Sequence, residues 1–156
     1  MTPLRLIAAG AVAVTLAAAL GGCQSQPGRF SRLGAKAEAA AWVHQVSAAI
    51  QPVSTSLRVN ASIPCASDHS YFPTSQSWRN LTTVVPKGNP EDALALIEQA
   101  FEGAGWKSTG AHASVSGREL VLTSPLVHGG HGTVIVESAT GNRELTVSAV
   151  SACYDG

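Results

Sequence analysis

The chain has little charge, few aromatic side chains and three cysteines, and these shortages exclude several classes of protein. Charged residues make up 13% of its 156 residues, and ten Lys plus Arg balance ten Asp plus Glu. A net charge of zero offers no basic surface to release phosphate counterions, so we expect no nucleic-acid partner. Hydrophobic residues make up 45% of the chain, which excludes full disorder. The length suits one domain.

Sequence signals of catalysis are also lacking. The chain contains neither Gly-x-Ser-x-Gly nor Cys-x-x-Cys, so neither a hydrolase nucleophile turn nor a thiol redox site is indicated. Glu119, Glu137 and Glu144 fall in predicted strands and could share one sheet face. The solvated face of an antiparallel sheet accounts for them without paired-carboxylate catalysis. We therefore expect a protein that is not an enzyme and uses no cofactor.

The N-terminal segment has the layout of an export signal. Arg5 is followed by a mainly apolar run over residues 6–20. A helix of that length rises about 22 Å, which is short of the roughly 30 Å hydrocarbon core of a bilayer. The pattern therefore predicts a cleaved signal peptide over residues 1–22 rather than a membrane span.

The predicted leader ends in a short string that leads into a modification site. Leu20-Gly21-Gly22-Cys23 resembles the lipobox of bacterial lipoproteins. In that family the cysteine thiol receives a diacylglyceryl group and the leader is cut before it. The resemblance implies that Cys23 is lipidated and that the membrane is a partner through this N-terminal anchor, on the extracytoplasmic face of the cell membrane. Residues 23–34 are then the lipidated N-terminus and a flexible tether.

Hydrophobic periodicity over residues 35–156 predicts a single α+β domain. Apolar side chains recur at helical spacing over residues 35–50, and Asn89-Pro90 is a typical start for a second helix. Strands are predicted weakly at 53–63, more clearly at 78–85, and by alternation after residue 111. We expect a two-layer sandwich, with two helices packed on one face of a mainly antiparallel sheet of about four to five strands.

Two cysteines remain once Cys23 carries lipid. Cys65 and Cys153 both lie in a chain predicted to be exported to an oxidising setting, and two cysteines allow one pairing. We therefore expect a structural disulfide between them. A free or metal-binding pair is the alternative.

The order of features along the chain resembles a family. A lipobox, a tether, a helix ending in Val46-Ser-Ala-Ala-Ile50, a cysteine at position 65, a strand, a capped helix, further strands and Cys153 follow one another. This order resembles the small LppA-like lipoproteins of mycobacteria and other actinobacteria over most of the mature chain. The family is largely uncharacterised, so the resemblance implies a cell-envelope location and carries over no catalytic residues.

Two predicted loops contain candidate binding residues. His128 and His131 are three positions apart in a glycine-rich loop, where two imidazoles can chelate Zn²⁺ or Cu²⁺. A polar hairpin loop without metal is the alternative and the one we favour. Tyr71 and Phe72 form an aromatic pair in a polar loop, which either contacts a partner or packs onto the domain.

The sequence thus supports one functional hypothesis with two rivals. The first is a membrane-anchored envelope lipoprotein that binds an envelope protein or peptide through an exposed sheet face or the Tyr71 loop. The second is a lipoprotein that binds a metal or small ligand through His128 and His131. A lipid carrier with an apolar cavity between helices and sheet is a third option, disfavoured by the modest length.

Overall fold

A computed structural model describes residues 31–65, 75–126 and 130–155 of the chain. The predicted signal peptide, residues 1–22, and Cys23 lie outside these ranges. Within them the chain is α+β, as predicted. Its elements, in order, are α1 (Arg32–Ile50), β1 (Ser54–Pro64), β2 (Ser75–Val85), α2 (Pro90–Gly103), β3 (Lys107–Ser108), β4 (His112–Ala113), β5 (Gly117–Thr123), β6 (Thr133–Ala139), β7 (Leu145–Val150) and β8 (Tyr154–Asp155).

Helix α1 begins three residues before the predicted start. The Ser31 side chain accepts a hydrogen bond from the backbone N–H of Gly34 at 3.1 Å, which caps the first turn. Residues 32–34, assigned to the tether by sequence, are therefore helical. The helix ends at Ile50, and the next residue, Gln51, caps it with a left-handed φ of 44° directly before Pro52. Its buried stripe consists of Ala35, Ala39, Trp42, Val46 and Ile50.

Helix α2 begins where the sequence predicts. The Asn89 side chain accepts a hydrogen bond from the N–H of Glu91 at 3.0 Å, and Pro90 is the first helical residue. After the helix ends, Trp106 folds back onto Phe101, with the two rings nearly perpendicular and their centroids 4.7 Å apart. This contact closes the hydrophobic core at the end of α2.

All strands of the described ranges belong to one antiparallel sheet. Its order is β1-β2-β7-β6-β5-β3, while β4 also pairs with β5 and β8 with β2. The prediction of four to five strands is wrong, since the described residues form eight. Five of them have six to eleven residues, and β3, β4 and β8 have two each. Two residues cannot display an alternating pattern, so these short strands left no signal in the sequence.

Both helices pack on the same face of the sheet. Alternate side chains of the long strands point toward them and are fully buried. Between the helices, Trp42 of α1 meets Trp106 edge to face at a centroid distance of 4.9 Å. The fully buried strand residues beneath them are Val84, Leu120, Leu122, Val134, Val136, Leu145, Val147 and Ala149.

The predicted disulfide is confirmed. Cys65 and Cys153 are bonded, with their Cα atoms 6.1 Å apart and a sequence separation of 88. The hydroxyl of Ser77 lies 3.2 Å from the sulfur of Cys65 and 3.6 Å from that of Cys153. The bond ties the end of β1 to the segment between β7 and β8.

Candidate interaction surface

The face of the sheet opposite the helices is covered by neither α1 nor α2. Burial alternates along β5 and β6 between fully buried side chains toward the helices and partly exposed ones away from them. We call the second face the open face. It presents Arg58, Val59, Arg79, Leu81, Thr83, Glu119, Val121, Thr133, Ile135, Glu137, Thr146, Ser148 and Val150.

Apolar side chains cross the middle of the open face in a single line. The strand register places Val59, Leu81, Ser148, Ile135 and Val121 side by side on β1, β2, β7, β6 and β5. We call this line the apolar row. Val59 is 39% exposed, and the other three apolar members are partly exposed. Ser148 is buried at the centre of the row.

An acidic group lies beside one half of the apolar row. Glu119 and Glu137 are direct partners across β5 and β6, and we call them the acidic pair. His112 is the partner of Glu119 on β4, with its Nε2 atom 3.4 Å from a carboxylate oxygen. Like charges that face each other across strands destabilise a sheet. The expectation that these two glutamates share a face is confirmed, whereas Glu144 precedes β7 and lies in no strand.

A basic group lies beside the other half of the apolar row. Arg58 is the extra residue of a bulge in β1, and its Nε donates a hydrogen bond to the Thr83 hydroxyl at 3.2 Å. Arg79 on β2 donates from Nε to the hydroxyl of Ser148, also at 3.2 Å. The open face is therefore basic on β1 and β2 and acidic on β5 and β6. Lys107, at the far edge beside Thr123, adds a single positive charge at the rim.

Strand β1 forms one edge of the sheet. It pairs with β2 only, and its first seven residues are exposed. An exposed edge is a template for strand pairing, and bulges and charges oppose such pairing. Arg58 adds a bulge and a charge to this strand, so the edge is less suited to bind a partner strand than the open face is to bind a partner surface.

Most loop residues singled out by sequence lie outside the described residues, namely Tyr71, Phe72 and His128, and so does Cys23, the predicted lipidation site. His131 is described, and its Nδ1 atom lies 2.7 Å from the carbonyl oxygen of Ser124. Within the described ranges, no three His, Cys, Asp or Glu side chains are grouped so that they could hold a metal ion. Metal binding at His128 and His131 stays a prediction.

Two surface cavities, of about 520 and 410 Å³, adjoin the start of α2 and share Asn89 and Pro90. The residues that line them include neither His nor Cys. The first is lined by Val53, Val85, Pro86, Lys87, Gly88, Asn89, Pro90 and Arg143. The second is lined by Asn89, Pro90, Glu91, Gly117, Arg118, Ser138, Ala139, Thr140, Gly141 and Asn142.

The apolar row was missed by sequence reasoning, although a signal for it was present. Residues 120–122 and 134–136 are unbroken apolar triplets, in which the middle residue must point away from the helices. A strand buried on one face alternates, whereas a strand buried on both faces reads as a continuous apolar run. These triplets indicate that both faces of β5 and β6 are suited to burial.

Comparison with known proteins gives the chain no relatives. No protein-family model, no curated protein and no solved structure matches it significantly. Of the helices in the described ranges, neither is long and apolar enough to cross a membrane. The features that indicate function are therefore the Leu20-Gly21-Gly22-Cys23 string and the open face.

Proposed function

We propose that this protein is a lipid-anchored module on the extracytoplasmic face of the cell membrane that binds an envelope protein or peptide and catalyses no reaction. The observation that carries the proposal is the apolar row, which crosses five strands and has charges of opposite sign at its two ends. Apolar patches with a polar rim are typical of protein interaction sites. The open face is the contact surface.

The membrane anchor in this proposal is the lipid on Cys23, and the position of α1 agrees with it. The helix begins at Arg32, so a short connection separates the lipid from the domain. Arg32 and Lys36 both lie against the Trp78 ring, with their charged groups 5.4 and 5.6 Å from its centroid. Both cations lie in the first two turns of α1, the end of the domain nearest in sequence to Cys23, and a cation close to an anionic lipid surface contributes about 1 kcal/mol of attraction. The resemblance to LppA-like lipoproteins is part of the same proposal.

The shape of the open face favours a protein or peptide over a small molecule. Small ligands bind in concave pockets that surround most of their surface. The apolar row instead lies on the face of a sheet, and the two cavities described above lie elsewhere, at the start of α2. A broad partner that presents apolar side chains matches this geometry best.

The anchor is tested by fractionation of cells that express the full chain or its Cys23→Ser variant. We expect the unchanged chain in the membrane fraction and a Cys23→Ser product that is uncleaved or unanchored. Cys65 and Cys153 provide an internal control, because their disulfide should form in both forms if export is intact. A reduced, uncleaved chain in the cytoplasm would contradict the proposal.

The contact surface is tested by photo-cross-linking in intact membranes. A photoreactive amino acid replaces Ile135 in the apolar row or, as a matched control, Leu96 on α2, which is 50% exposed. We expect a discrete cross-linked product from position 135 and none from position 96. Equal labelling at both positions, or none at 135, would rule out the open face as the contact surface.

A further inference from the structure

We propose that the occupant of the open face is a second copy of the same chain, docked face to face about a two-fold axis parallel to the strands. This inference rests on the proposed function, because it names the partner of the same surface. It is carried by three features of the described residues: the strand order, the positions of the charges and the end of the sheet at which α1 begins.

The strand order places β7 at the centre of the five long strands, between β2 and β6. A two-fold axis that runs along β7, between two facing copies, reverses the order across the sheet but keeps positions along the strands. Strand β6 of each copy then lies over β2 of the other, and β5 lies over β1. Sheets that pack face to face keep their strand directions within about 30° of each other, which this arrangement respects.

The apolar row is complementary to itself under this operation. Ile135 on β6 faces Leu81 on β2 of the second copy, and Val121 on β5 faces Val59 on β1. Ser148 lies on the axis and meets its own counterpart. Apolar side chains therefore meet apolar side chains on both sides of the axis, and each of these contacts occurs twice.

One pair of opposite charges, Arg58 and Glu137, is complementary under the same operation. Thr83 and Glu137 occupy one row, on β2 and β6, with Thr146 of β7 between them. Arg58 donates a hydrogen bond to Thr83, so its guanidinium faces Glu137 of the second copy. Within one copy Thr83, which the Arg58 guanidinium contacts, is two strands from Glu137, about 10 Å. Glu137 has no hydrogen-bond or ion-pair partner among the residues that the structure describes, and the second copy supplies one.

The same axis suits attachment of both copies to one membrane. Arg32 at the start of α1 lies beside Trp78, while Val53, just after the helix, donates its backbone N–H to Val85 at the other end of β2. Helix α1 thus runs along β2. A two-fold axis parallel to the strands leaves both helix starts, and both lipid tethers, at the same end of the dimer. Antiparallel pairing of two β1 edges would place the tethers at opposite ends.

The expected dimer is weak in solution. Five strands span roughly 20 to 24 Å, and the rows of the open face extend about 14 Å along them, which is small beside a standard interface of about 800 Å² per partner. Confinement to a membrane raises the effective concentration of the second copy without any new contact. The dimer therefore forms between neighbours in one membrane, and in detergent it forms at the upper end of the protein concentration range.

The test measures association of the full chain, extracted in a density-matched detergent, by sedimentation velocity over a range of protein concentrations. Arg58→Glu and Glu137→Arg each bring like charges together twice per dimer. We expect either change to weaken association at least about tenfold. The double variant exchanges the charges and should restore it to near the original value. Arg143→Glu, at an exposed residue between β6 and β7, is the matched control and should have no effect.

Each result decides for or against the proposal. Thermal melting curves check that each variant is folded, which separates a loss of association from a loss of structure. A chain that is monomeric at every concentration overturns the inference, and so does a dimer that the double variant fails to restore. If the chain is monomeric but position 135 still cross-links to another envelope protein, the second copy is the wrong partner while the proposed function stands.

Discussion

In the middle of this sheet, the two faces carry similar aliphatic side chains in different surroundings. Leu122 and Val134 are fully buried beneath the helices, whereas their sequence neighbours Val121 and Ile135 point the other way and are partly exposed. In the middle of β5 and β6, both faces thus carry large aliphatic residues, although the open face also carries the acidic pair. The helices therefore bury the aliphatic residues of one face and leave those of the other face partly exposed. The partner that we propose binds to the second face.

Loss of the disulfide should have the largest effect on the free energy of unfolding, because the bond joins the edge strand β1 to the C-terminal segment. It closes a loop that spans 88 positions, for which the chain-entropy model assigns about 4.5 kcal/mol. We expect the double variant Cys65→Ser, Cys153→Ser to lose up to about that much free energy of unfolding, measured by urea titration. The unchanged protein under non-reducing conditions is the control. An unaltered unfolding midpoint would show that β1 and the C-terminal segment need no covalent tie.

The next prediction compares adjacent residues on the two faces. Leu122→Ala removes a fully buried side chain and should cost about 2 to 5 kcal/mol of the free energy of unfolding. Val121→Ala removes a partly exposed side chain and should cost less than about 1 kcal/mol. Urea titration measures both.

The same two substitutions should rank in the opposite order in their effect on dimer formation. Val121→Ala should weaken dimer formation, while Leu122→Ala, once folded, should leave the open face unchanged. Equal losses of stability for the two variants would mean that the open face is covered within one copy, and the comparison of the two faces would fail.

Local features of this fold were predictable from sequence. The start of α2 depends on Asn89 and Pro90, which act on the first turn that follows them. The buried stripe of α1 follows from helical spacing, and the disulfide was predicted by assigning Cys23 to lipid, which leaves two cysteines. The start of α1 was misplaced because Ser31, its cap, is embedded in a polar segment that reads as a tether.

The open face was not predictable to the same extent, because it depends on contacts between distant segments. Its apolar row requires β2 to pair with β7, which joins Leu81 to Ser148. Its charge pattern requires the bulge at Arg58, which no local sequence signal marks. Strand order and register follow from how the whole sheet assembles, and β3, β4 and β8 exist only because a longer strand lies beside each of them.

A substitution at Gly132 should sharpen the comparison on the covered face. A side-chain carbon at this position would overlap the ring of Trp42 on α1, so the helix must shift. We expect Gly132→Ala to lower the free energy of unfolding by about 1 to 3 kcal/mol. Gly88→Ala is the matched control, since no heavy atom lies within 4 Å of its added carbon. A Gly132→Ala protein with an unchanged thermal midpoint would mean that α1 packs loosely on the sheet.

The smallest predicted effect concerns the open face and has the opposite sign. Glu137→Gln removes one charge from the acidic pair, so the single copy, measured in dilute solution, should gain about 0.2 to 1 kcal/mol of stability. The same change should weaken association, because it removes the group that faces Arg58 of the second copy. Glu144→Gln, exposed before β7, should change neither quantity. A residue that destabilises a single copy but stabilises the dimer indicates a surface adapted to contact. A loss of stability from Glu137→Gln in the single copy would contradict that interpretation.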